Sequence, residues 1–419
     1  MQHLERLLGP LSSQELARVE ELAELLPLIR ERAPRADASA MFPRENRELL
    51  KQSGFTGLAV PEAYGGRGGG LRDLCAATYL LGTACPSTAL CFFFHCSVSS
   101  RGLLSLRALD AELFEDPSHA RQVRAFAEKV LSRMGGEGLW FGNFASESTR
   151  SSGQAVSTRA TRVEGGWQLD GVKSAGTGTG VADQYLVSAA IGDLEGEVGM
   201  GTFFVPADAP GVRAVAAWDA IGLRASASNG LTLEKVFVPE DEALTVPGAF
   251  SRMRAVSRGS FVGNEVAGVC CYLGAAQSVS DYVMEWLTCT RFADTGQPIG
   301  SSPMHQELVG RISVDLETAY LWLRRQVELE SEHPPPLPHM EVIKQWWMCK
   351  GTVAESLFQV AVQGMKACGT SNTDNRMPIA RGLRDLSMGL VQAFPVERGR
   401  LEVARMVVEG GFLPSFGTD

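Results

Sequence analysis

The sequence predicts a protein of the α+β class in which a helical segment, a β segment and a second helical segment follow one another. Apolar residues recur every three or four positions up to about residue 140 and again after about residue 260, and between these limits they alternate with polar residues. We therefore expect an N-terminal helical domain over residues 1–140, a central β domain over residues 141–250 and a C-terminal helical domain over residues 251–419.

The N-terminal segment has the apolar spacing of amphipathic helices. Leu22, Leu26 and Ile29 recur at helical intervals, and the stretch 75–104 is rich in Ala, Leu and Phe, as buried helices are. The glycine-rich stretch 65–70 interrupts the pattern, since glycine adopts backbone angles that other residues resist. The segment is predicted to consist of helices joined by a loop at these glycines.

The central segment has the two-residue period of half-buried strands. Trp167 and Leu169 alternate with polar neighbours, and short apolar runs at 185–191 and 202–205 lie between Gly, Pro and Asp residues. No helical pattern separates these runs, so βαβ units are not expected. The segment predicts a compact antiparallel barrel or sandwich.

The C-terminal segment returns to the helical period. One apolar stripe comprises Leu308, Ile312, Leu316, Ala319, Leu323 and Val327. Prolines at 334–336 and 338 cannot continue a helix, so they are predicted to separate two members of a helical bundle.

Composition narrows the classes of function. Lys and Arg number 39 against 48 Asp and Glu, a net charge of −9, and no basic run offers the cationic stripe that nucleic acid needs. The nine cysteines lack the paired spacing of a zinc site, which predicts a reduced, cytoplasmic protein without a metal centre. No apolar run approaches the roughly 18 residues of a membrane span, and the N-terminus does not look like a targeting segment.

Several separated stretches, in the same order and spacing, resemble acyl-CoA dehydrogenases. Together they cover nearly the whole chain. They are Leu58 to Gly66, Phe144 to Glu147, Gly171 to Lys173, Thr177, Val181 to Asp183, Trp218 to Asp219, Gly222 to Arg224, Val236 to Pro239, and Arg384-Asp385 after Pro378. The resemblance implies the acyl-CoA dehydrogenase fold, with a four-helix bundle at the C-terminus.

The resemblance also implies FAD, bound between the β domain and the C-terminal helices, and a homodimer or homotetramer whose neighbouring subunit covers the adenine end. Ser146 stands where a hydroxyl bonds the pyrimidine side of the flavin, and Thr177 where a threonine bonds N5. The positions that the resemblance assigns to the cofactor are Phe144, Ala145, Ser146, Ser152, Ala175, Gly176, Thr177, Arg291 and Gly369.

The catalytic base departs from the family pattern. In the commonest branch a glutamate follows the Arg-Asp pair by eight residues, and counting from Asp385 gives Ala393, which cannot accept a proton. The backbone N–H of Ala393 could still stabilise a thioester oxyanion. Another branch places its base on the first C-terminal helix, where counting gives Asn264. A slip of one residue makes Glu265 the base; otherwise Glu265 is an acid that favours the helix dipole.

Ala175 replaces a tryptophan that many family members hold against the flavin. The stretch 173–178 also resembles two-component flavin monooxygenases of the same fold, which use reduced flavin and O₂. The sequence therefore predicts a FAD-dependent oxidoreductase for an acyl thioester carried by CoA or an acyl-carrier protein, with a monooxygenase or a non-catalytic flavin-binding homologue as alternatives. His95, alone in an apolar helix, is expected to be a core residue.

Overall fold

The structure is a computed structural model that describes residues 2–144, 147, 156–192, 196–215, 218–260, 265–392 and 394–408. The order helix, β, helix predicted from periodicity is confirmed. Helices end at Gly135, strands occupy the chain from Phe141 to Leu244, and helices resume at Ala249. One hydrophobic core nevertheless runs through all three segments, so the division into three domains stays a prediction.

The N-terminal part is helical, and its breaks follow from the sequence. Ser12 and Glu15 form a capping box that begins the second helix, and Pro86 occupies the first turn of the fifth helix, where its missing N–H costs no hydrogen bond. The helices are α1 (Gln2–Leu8), α2 (Ser13–Ser39), α3 (Arg44–Gln52), α4 (Leu71–Ala84), α5 (Pro86–Ser97), α6 (Ser99–Asp110) and α7 (Pro117–Gly135).

By length and composition, the stretch Pro86–Asp110 could cross a membrane. However, 83% of its most apolar 18-residue segment is buried inside the protein. Two consecutive helices, α5 and α6, make up this stretch. Core helices pass the same compositional test, so the burial accounts for the apolar sequence.

The strands form one sheet. They are β1 (Phe141–Phe144), β2 (Arg159–Val163), β3 (Gly166–Gly176), β4 (Gln184–Ile191), β5 (Met200–Pro206), β6 (Val212–Val215), β7 (Asn229–Pro239) and β8 (Ala243–Leu244). The path is β6-β7-β3-β2-β4-β5-β8, and β1 joins β4. No pairing between the described strands β6 and β8 closes a barrel. Most pairings are antiparallel, but β4 pairs in parallel with both β1 and β2, which alternation within single strands could not predict.

The C-terminal part is the predicted bundle. Its helices are α8 (Ala249–Ala255), α9 (Glu265–Cys289), α10 (Pro303–Ser331), α11 (His339–Cys368), α12 (Pro378–Met388) and α13 (Val396–Val408). Helices α9, α10 and α11 pack on one another, α12 packs against α9 and α11, and α13 packs against α11. The predicted apolar stripe lies on α10, and the prolines separate α10 from α11.

Two glycines bring α4 against α9 and thereby join the N-terminal helices to the bundle. A Cβ on Gly274 would lie 2.1 Å from the Tyr79 carbonyl oxygen, and one on Gly82 would lie 2.3 Å from that of Cys271. Only residues without a side chain allow the two backbones this approach. The contact places α5 beside α9, where the candidate site lies.

The Gly274→Ala variant should therefore lose stability by roughly 3 kcal/mol, because the new methyl overlaps a backbone oxygen that cannot move alone. Gly310→Ala on the exposed face of α10 is the matched control, since nothing lies within 4 Å of its Cβ position. That control should gain up to about 1 kcal/mol from helix propensity. Thermal unfolding of both variants tests the pair, and equal melting temperatures would contradict the packing described.

Candidate active site

The ends of β1 and β3 bring together three residues that the sequence assigned to the flavin. Phe144 is buried with its ring edge-on to Tyr185, at 5.0 Å between centroids. A Cβ on Gly176 would lie 1.8 Å from that ring, so glycine is required there. Thr177 follows directly. Ala145, Ser146 and Ser152 lie outside the described residues, so the predicted facing of Ser146 and Thr177 stays a prediction.

Thr177 belongs to a chain of three buried hydroxyl groups. Its Oγ1 is 2.8 Å from Ser228 Oγ, which is 2.8 Å from Ser226 Oγ. The sequence reading missed both serines, although they follow the Gly222 to Arg224 stretch that it singled out. Each hydroxyl can donate one hydrogen bond and accept two, so the chain retains capacity for a further partner. Such a donor and acceptor set fits the polar edge of a flavin.

The hydroxyl chain lies at the junction between sheet and bundle. Asp385 on α12 accepts a hydrogen bond from the Leu223 N–H at 2.7 Å. A Cβ on Gly222 would lie 2.0 Å from the Arg384 carbonyl oxygen, so glycine allows this contact. Burial raises the pKa of Asp385 to about 6 against the lowering effect of the Leu223 hydrogen bond. Gly222 to Arg224 and Arg384-Asp385 are two of the stretches that carry the family resemblance, and they are therefore in contact. The next residue of α12 is Leu386.

A buried ion pair fixes the chain after β1. Lys173 Nζ donates to Glu147 Oε1 at 2.6 Å, and the two side chains are 0% and 4% exposed. Glu147 also accepts hydrogen bonds from Ser157 and Thr158. Burial would raise the pKa of Glu147, but these hydrogen bonds outweigh it and lower the pKa to about 2. The pair holds Glu147, in the chain after β1, against Lys173 of β3.

Replacing Lys173 by Met should cost about 3 to 5 kcal/mol, because it leaves a buried carboxylate without its cation. Lys129→Met is the matched control, since Lys129 pairs with Asp241 and Glu242 at the surface and should cost less than about 1 kcal/mol. Because the folded pKa of Glu147 is depressed, its stabilisation is present above about pH 4.5 and is lost as the pH falls towards 2. Melting temperatures between pH 7 and 3 test this; similar losses in the two variants would contradict it.

A cavity of about 50 Å³ lies between α5, α9, α11 and α12. Most of its wall is apolar. Its lining residues are Phe93, Phe94, Glu265, Gly268, Val269, Tyr272, Lys350, Ala354, Leu357, Leu386, Gly389 and Gln392. Helices α9 and α11 run in the same direction, since Lys350 lies near Glu265, and Gly364 further along α11 packs against Val279 and Val283 further along α9.

Glu265 is the carboxylic acid among the few polar residues of a mostly apolar wall. The residue is half-buried at the start of α9 and borders the cavity. Burial raises its pKa to about 8, the positive charge of Lys350 lowers it, and the nearby Glu330 raises it. A carboxyl group with this pKa can hold a proton or release one near neutral pH, which is what a general base needs.

Lys350 is 2% exposed, and sequence reasoning missed it. Its Nζ donates to the carbonyl oxygens of Gly389, at 3.0 Å, and Phe394. Burial lowers its pKa to about 8, while Glu265 and Glu397 act to raise it. A lysine within the apolar sequence of α11 was the signal that could have revealed it.

Ala393 lies outside the described residues, but the residue before it, Gln392, borders the cavity. Gln392 lines the wall and accepts a hydrogen bond from the Tyr272 hydroxyl. Lys350 binds the carbonyls of Gly389 and Phe394 on either side. The described structure therefore brings Glu265 to the same cavity as this segment, whereas the oxyanion role of the Ala393 N–H stays a prediction.

The remaining predicted residues lie apart from the cavity lining. Arg291 is exposed after α9 and donates to the Gly296 carbonyl at 3.1 Å. Gly369 ends α11 with a φ of 72°. Ala175 is exposed at the end of β3 with a φ of 51°, a conformation that costs an alanine about 1 kcal/mol. Among the described residues, no cluster of His, Cys, Asp or Glu could hold a metal ion.

His95 is a core residue, as predicted. Its Nε2 lies 2.9 Å from the Thr56 carbonyl oxygen, and its Nδ1 accepts the Phe141 N–H at 3.0 Å, which defines the neutral tautomer. Burial lowers the pKa of His95 to about 4. With both nitrogens bonded, His95 has no free group for chemistry.

The chain matches three domains of one family in order. Residues 19–106 match the N-terminal domain of acyl-CoA dehydrogenases, residues 144–236 the middle domain and residues 256–409 the C-terminal domain. The chain belongs to the acyl-CoA dehydrogenase family. Its family is one of flavin-dependent enzymes that includes dehydrogenases and monooxygenases, so a flavin is the expected cofactor.

Relatives of both kinds are similar to this chain. The putative acyl-CoA dehydrogenase YdbM of Bacillus subtilis is 25% identical over 382 residues, covering 90% of this chain and 93% of that protein. L-evernosamine nitrososynthase of a Micromonospora species is 30% identical over 275 residues, covering 65% and 62%. Among solved structures, FMN-bound TdsC of Paenibacillus sp. A11-2 has a TM-score of 0.80 at 20% identity, covering 95% of this chain and 98% of that one.

Proposed function

We propose that the protein is a FAD-dependent oxidoreductase that dehydrogenates an acyl thioester, with Glu265 as the base that removes the α proton. The observation that carries this proposal is the Glu265 carboxyl group, which borders a mostly apolar cavity and has a raised pKa. An alkyl tail gains about 25 cal/mol per Å² when it leaves water for such a cavity. The α carbon of a thioester whose tail enters this cavity would lie near Glu265.

The bound flavin supplies a hydride acceptor for the β carbon. The residues of this chain do the rest. Glu265 takes the α proton onto a carboxylate oxygen, and the C–H electron pair becomes the new double bond of an unsaturated thioester. Its raised pKa makes the carboxylate a stronger base than a solvent-exposed glutamate. The hydroxyls of Thr177, Ser226 and Ser228 would hold the polar edge of the flavin.

We further propose FAD rather than FMN, in a homodimer or homotetramer. Arg291 follows α9 and Gly369 ends α11, so both lie where these two parallel helices end. These are the positions that the family resemblance assigns to the adenine half of a neighbouring subunit's cofactor. The exposure of both residues in a single chain is consistent with a role across a subunit boundary.

A flavin monooxygenase is the second candidate. Ala175, exposed at the end of β3, supports it because its small side chain leaves space beside the predicted flavin, where an oxygenase needs room for O₂ and substrate. The relatives similar to this chain also include proteins named as an N-hydroxylase and as nitrososynthases. In the dehydrogenase proposal, the acyl group is carried by CoA or by an acyl-carrier protein.

Anaerobic spectroscopy separates the candidates. Protein purified with its cofactor should be yellow, contain FAD and lose its visible absorbance when mixed with butyryl-CoA or octanoyl-CoA. Colourless protein that hydroxylates an amine or a sulfur compound only with added reduced flavin and O₂ would support the monooxygenase. Neither bleaching nor oxygenation would favour a flavin-binding homologue without catalysis.

A further inference from the structure

A cleft of about 480 Å³ lies between the end of α2, the loop before β7 and the start of α12. Four arginines line it, Arg224, Arg376, Arg381 and Arg384, against one acid, Asp37. We call it the arginine cleft, and none of its lining residues belongs to the cavity at Glu265. We infer that the arginine cleft binds a phosphate group, carried either by inorganic pyrophosphate or by a nucleotide.

Asp37, near the end of α2, fixes two of the arginines. Its carboxylate accepts a hydrogen bond from Arg384 Nη2, and its carbonyl oxygen accepts one from Arg224 Nε at 3.0 Å. Arg224 Nη1 donates to Asp219 at 3.1 Å and to the Ala220 carbonyl at 3.2 Å. A guanidinium carries five N–H groups, so the two on Arg224 Nη2 have no partner among the described residues. Arg224 is therefore held in position with donors left for a ligand.

Arg381 is half-buried, on the second turn of α12. Within the part of the chain that the structure describes, it makes neither a hydrogen bond nor an ion pair. Its charge acts to lower the pKa of Asp385, which burial nevertheless raises to about 6, but the Asp385 carboxylate accepts the Leu223 N–H instead of pairing with Arg381. A guanidinium that has lost part of its hydration gains strong hydrogen bonds when an anion enters beside it.

The acids around the cleft do not occupy all its arginines. Three arginines pair with acids, in the pairs Arg224–Asp219, Arg376–Asp374 and Arg384–Asp37. The Asp219 side chain is 90% exposed and the Arg376 side chain 87%, so these two pairs are weak and can give way to a stronger anion. Planar guanidinium groups bind phosphate oxygens through two parallel hydrogen bonds, which makes phosphate the anion that this lining fits.

The cleft also has an apolar part. Pro34, Ala38 and Ile221 line it, and Ile221 is 64% exposed, which is unusual for a large apolar side chain. Sites for small molecules commonly have volumes of about 300 to 1,000 Å³ and combine apolar walls with a few polar groups. The cleft is therefore large enough for a nucleotide, whose base would cover Ile221 while its phosphates meet the arginines.

The ordinary explanation is that the arginines only join α2 to α12 through Asp37. That explanation predicts no binding of phosphates and gives Arg381 no part. Arg381→Gln is the test variant, because it removes the charge without breaking a hydrogen bond or ion pair of the described structure. Arg376→Gln, at an exposed position, covers the case in which Arg381→Gln does not fold. The matched control is Arg311→Gln, which removes one positive charge from the exposed face of α10, where Arg311 pairs with Glu307.

Calorimetric titration of the full-length protein, saturated with FAD, with ADP and with pyrophosphate tests the inference. At least one of the two should bind to the wild-type protein and equally to Arg311→Gln. Arg381→Gln and Arg376→Gln should each weaken that binding about tenfold or more, as expected when a charge-assisted hydrogen bond is lost. Tighter binding of ADP would identify a nucleotide as the ligand, and equal or tighter binding of pyrophosphate would identify the inorganic ion.

Four results would overturn the inference. They are no binding of either compound, unchanged binding in a folded Arg381→Gln or Arg376→Gln variant, adenosine binding as tightly as ADP, and release of FAD when ADP is added. The last would place ADP in the adenine part of the flavin site, and the visible absorbance of a filtrate measures it. Phosphate binding in the arginine cleft does not depend on the proposed dehydrogenation, which anaerobic bleaching tests separately, so either can fail alone.

Discussion

Replacement of Glu265 by Gln should lower the rate of anaerobic flavin reduction by an acyl thioester at least a thousandfold. The amide has the shape of the acid but cannot accept the α proton, and general-base catalysis contributes about 10² to 10⁴ to such rates. Flavin content should stay the same, because the hydroxyl chain of Thr177, Ser226 and Ser228 is untouched. Stopped-flow absorbance gives the rate, and the visible spectrum gives the flavin content.

Glu330→Gln is the matched control for Glu265→Gln. Glu330 is a second buried acid, with its pKa raised by burial to about 7, but it accepts hydrogen bonds from Ser260 and Gln326 rather than lining the cavity. A glutamine can keep these contacts by donating to the Ser260 hydroxyl. Glu330→Gln should therefore reduce flavin within about tenfold of the wild-type rate. Comparable losses in the two variants would remove Glu265 from its role as base.

Replacement of Lys350 by Met should shift the pH dependence of catalysis upwards. A base must be deprotonated, and burial raises the pKa of Glu265, so kcat/KM should rise with pH to a midpoint near 8 in the wild-type enzyme. The charge of Lys350 lowers this pKa, and its removal should raise the midpoint by about one pH unit. The variant should also lose about 2 to 4 kcal/mol of stability with the two hydrogen bonds to Gly389 and Phe394.

Lys344→Met is the control for the Lys350 prediction. Lys344 lies on the same helix but pairs with Glu341 and does not line the cavity. Its replacement removes one positive charge from α11 and should leave the midpoint unchanged. A pH profile that moves equally in both variants would show that net charge, and not the position of Lys350, governs the pKa of Glu265.

The order of secondary structure was predictable because periodicity is local. The stripe on α10 and the alternation in β3 reflect which face of one element is buried, and both are present in the structure as expected. The parallel pairing of β4 with β1 and β2 was not predictable, since it depends on which distant strands meet. The sequence expectation of an antiparallel arrangement is therefore corrected at β4.

The candidate site was predictable only in part. The resemblance located Phe144, Gly176 and Thr177, which lie together, but counting along the chain left Glu265 open between a base and an acid at a helix start. Only the packing of α5, α11 and α12 against α9 shows that its carboxyl group borders a cavity. Burial of Lys350 and of the hydroxyls of Ser226 and Ser228 is likewise a property of packing between separate segments.

The exchange of an α proton with solvent tests the role of Glu265 most directly. The protein is reduced beforehand so that net oxidation cannot occur, and a saturated short-chain acyl-CoA is incubated with it in D₂O. Mass spectrometry should show deuterium at the α carbon with the wild-type protein and with Glu330→Gln, and none above the uncatalysed level with Glu265→Gln. Equal deuterium incorporation with Glu265→Gln would contradict the assignment of Glu265 as the base.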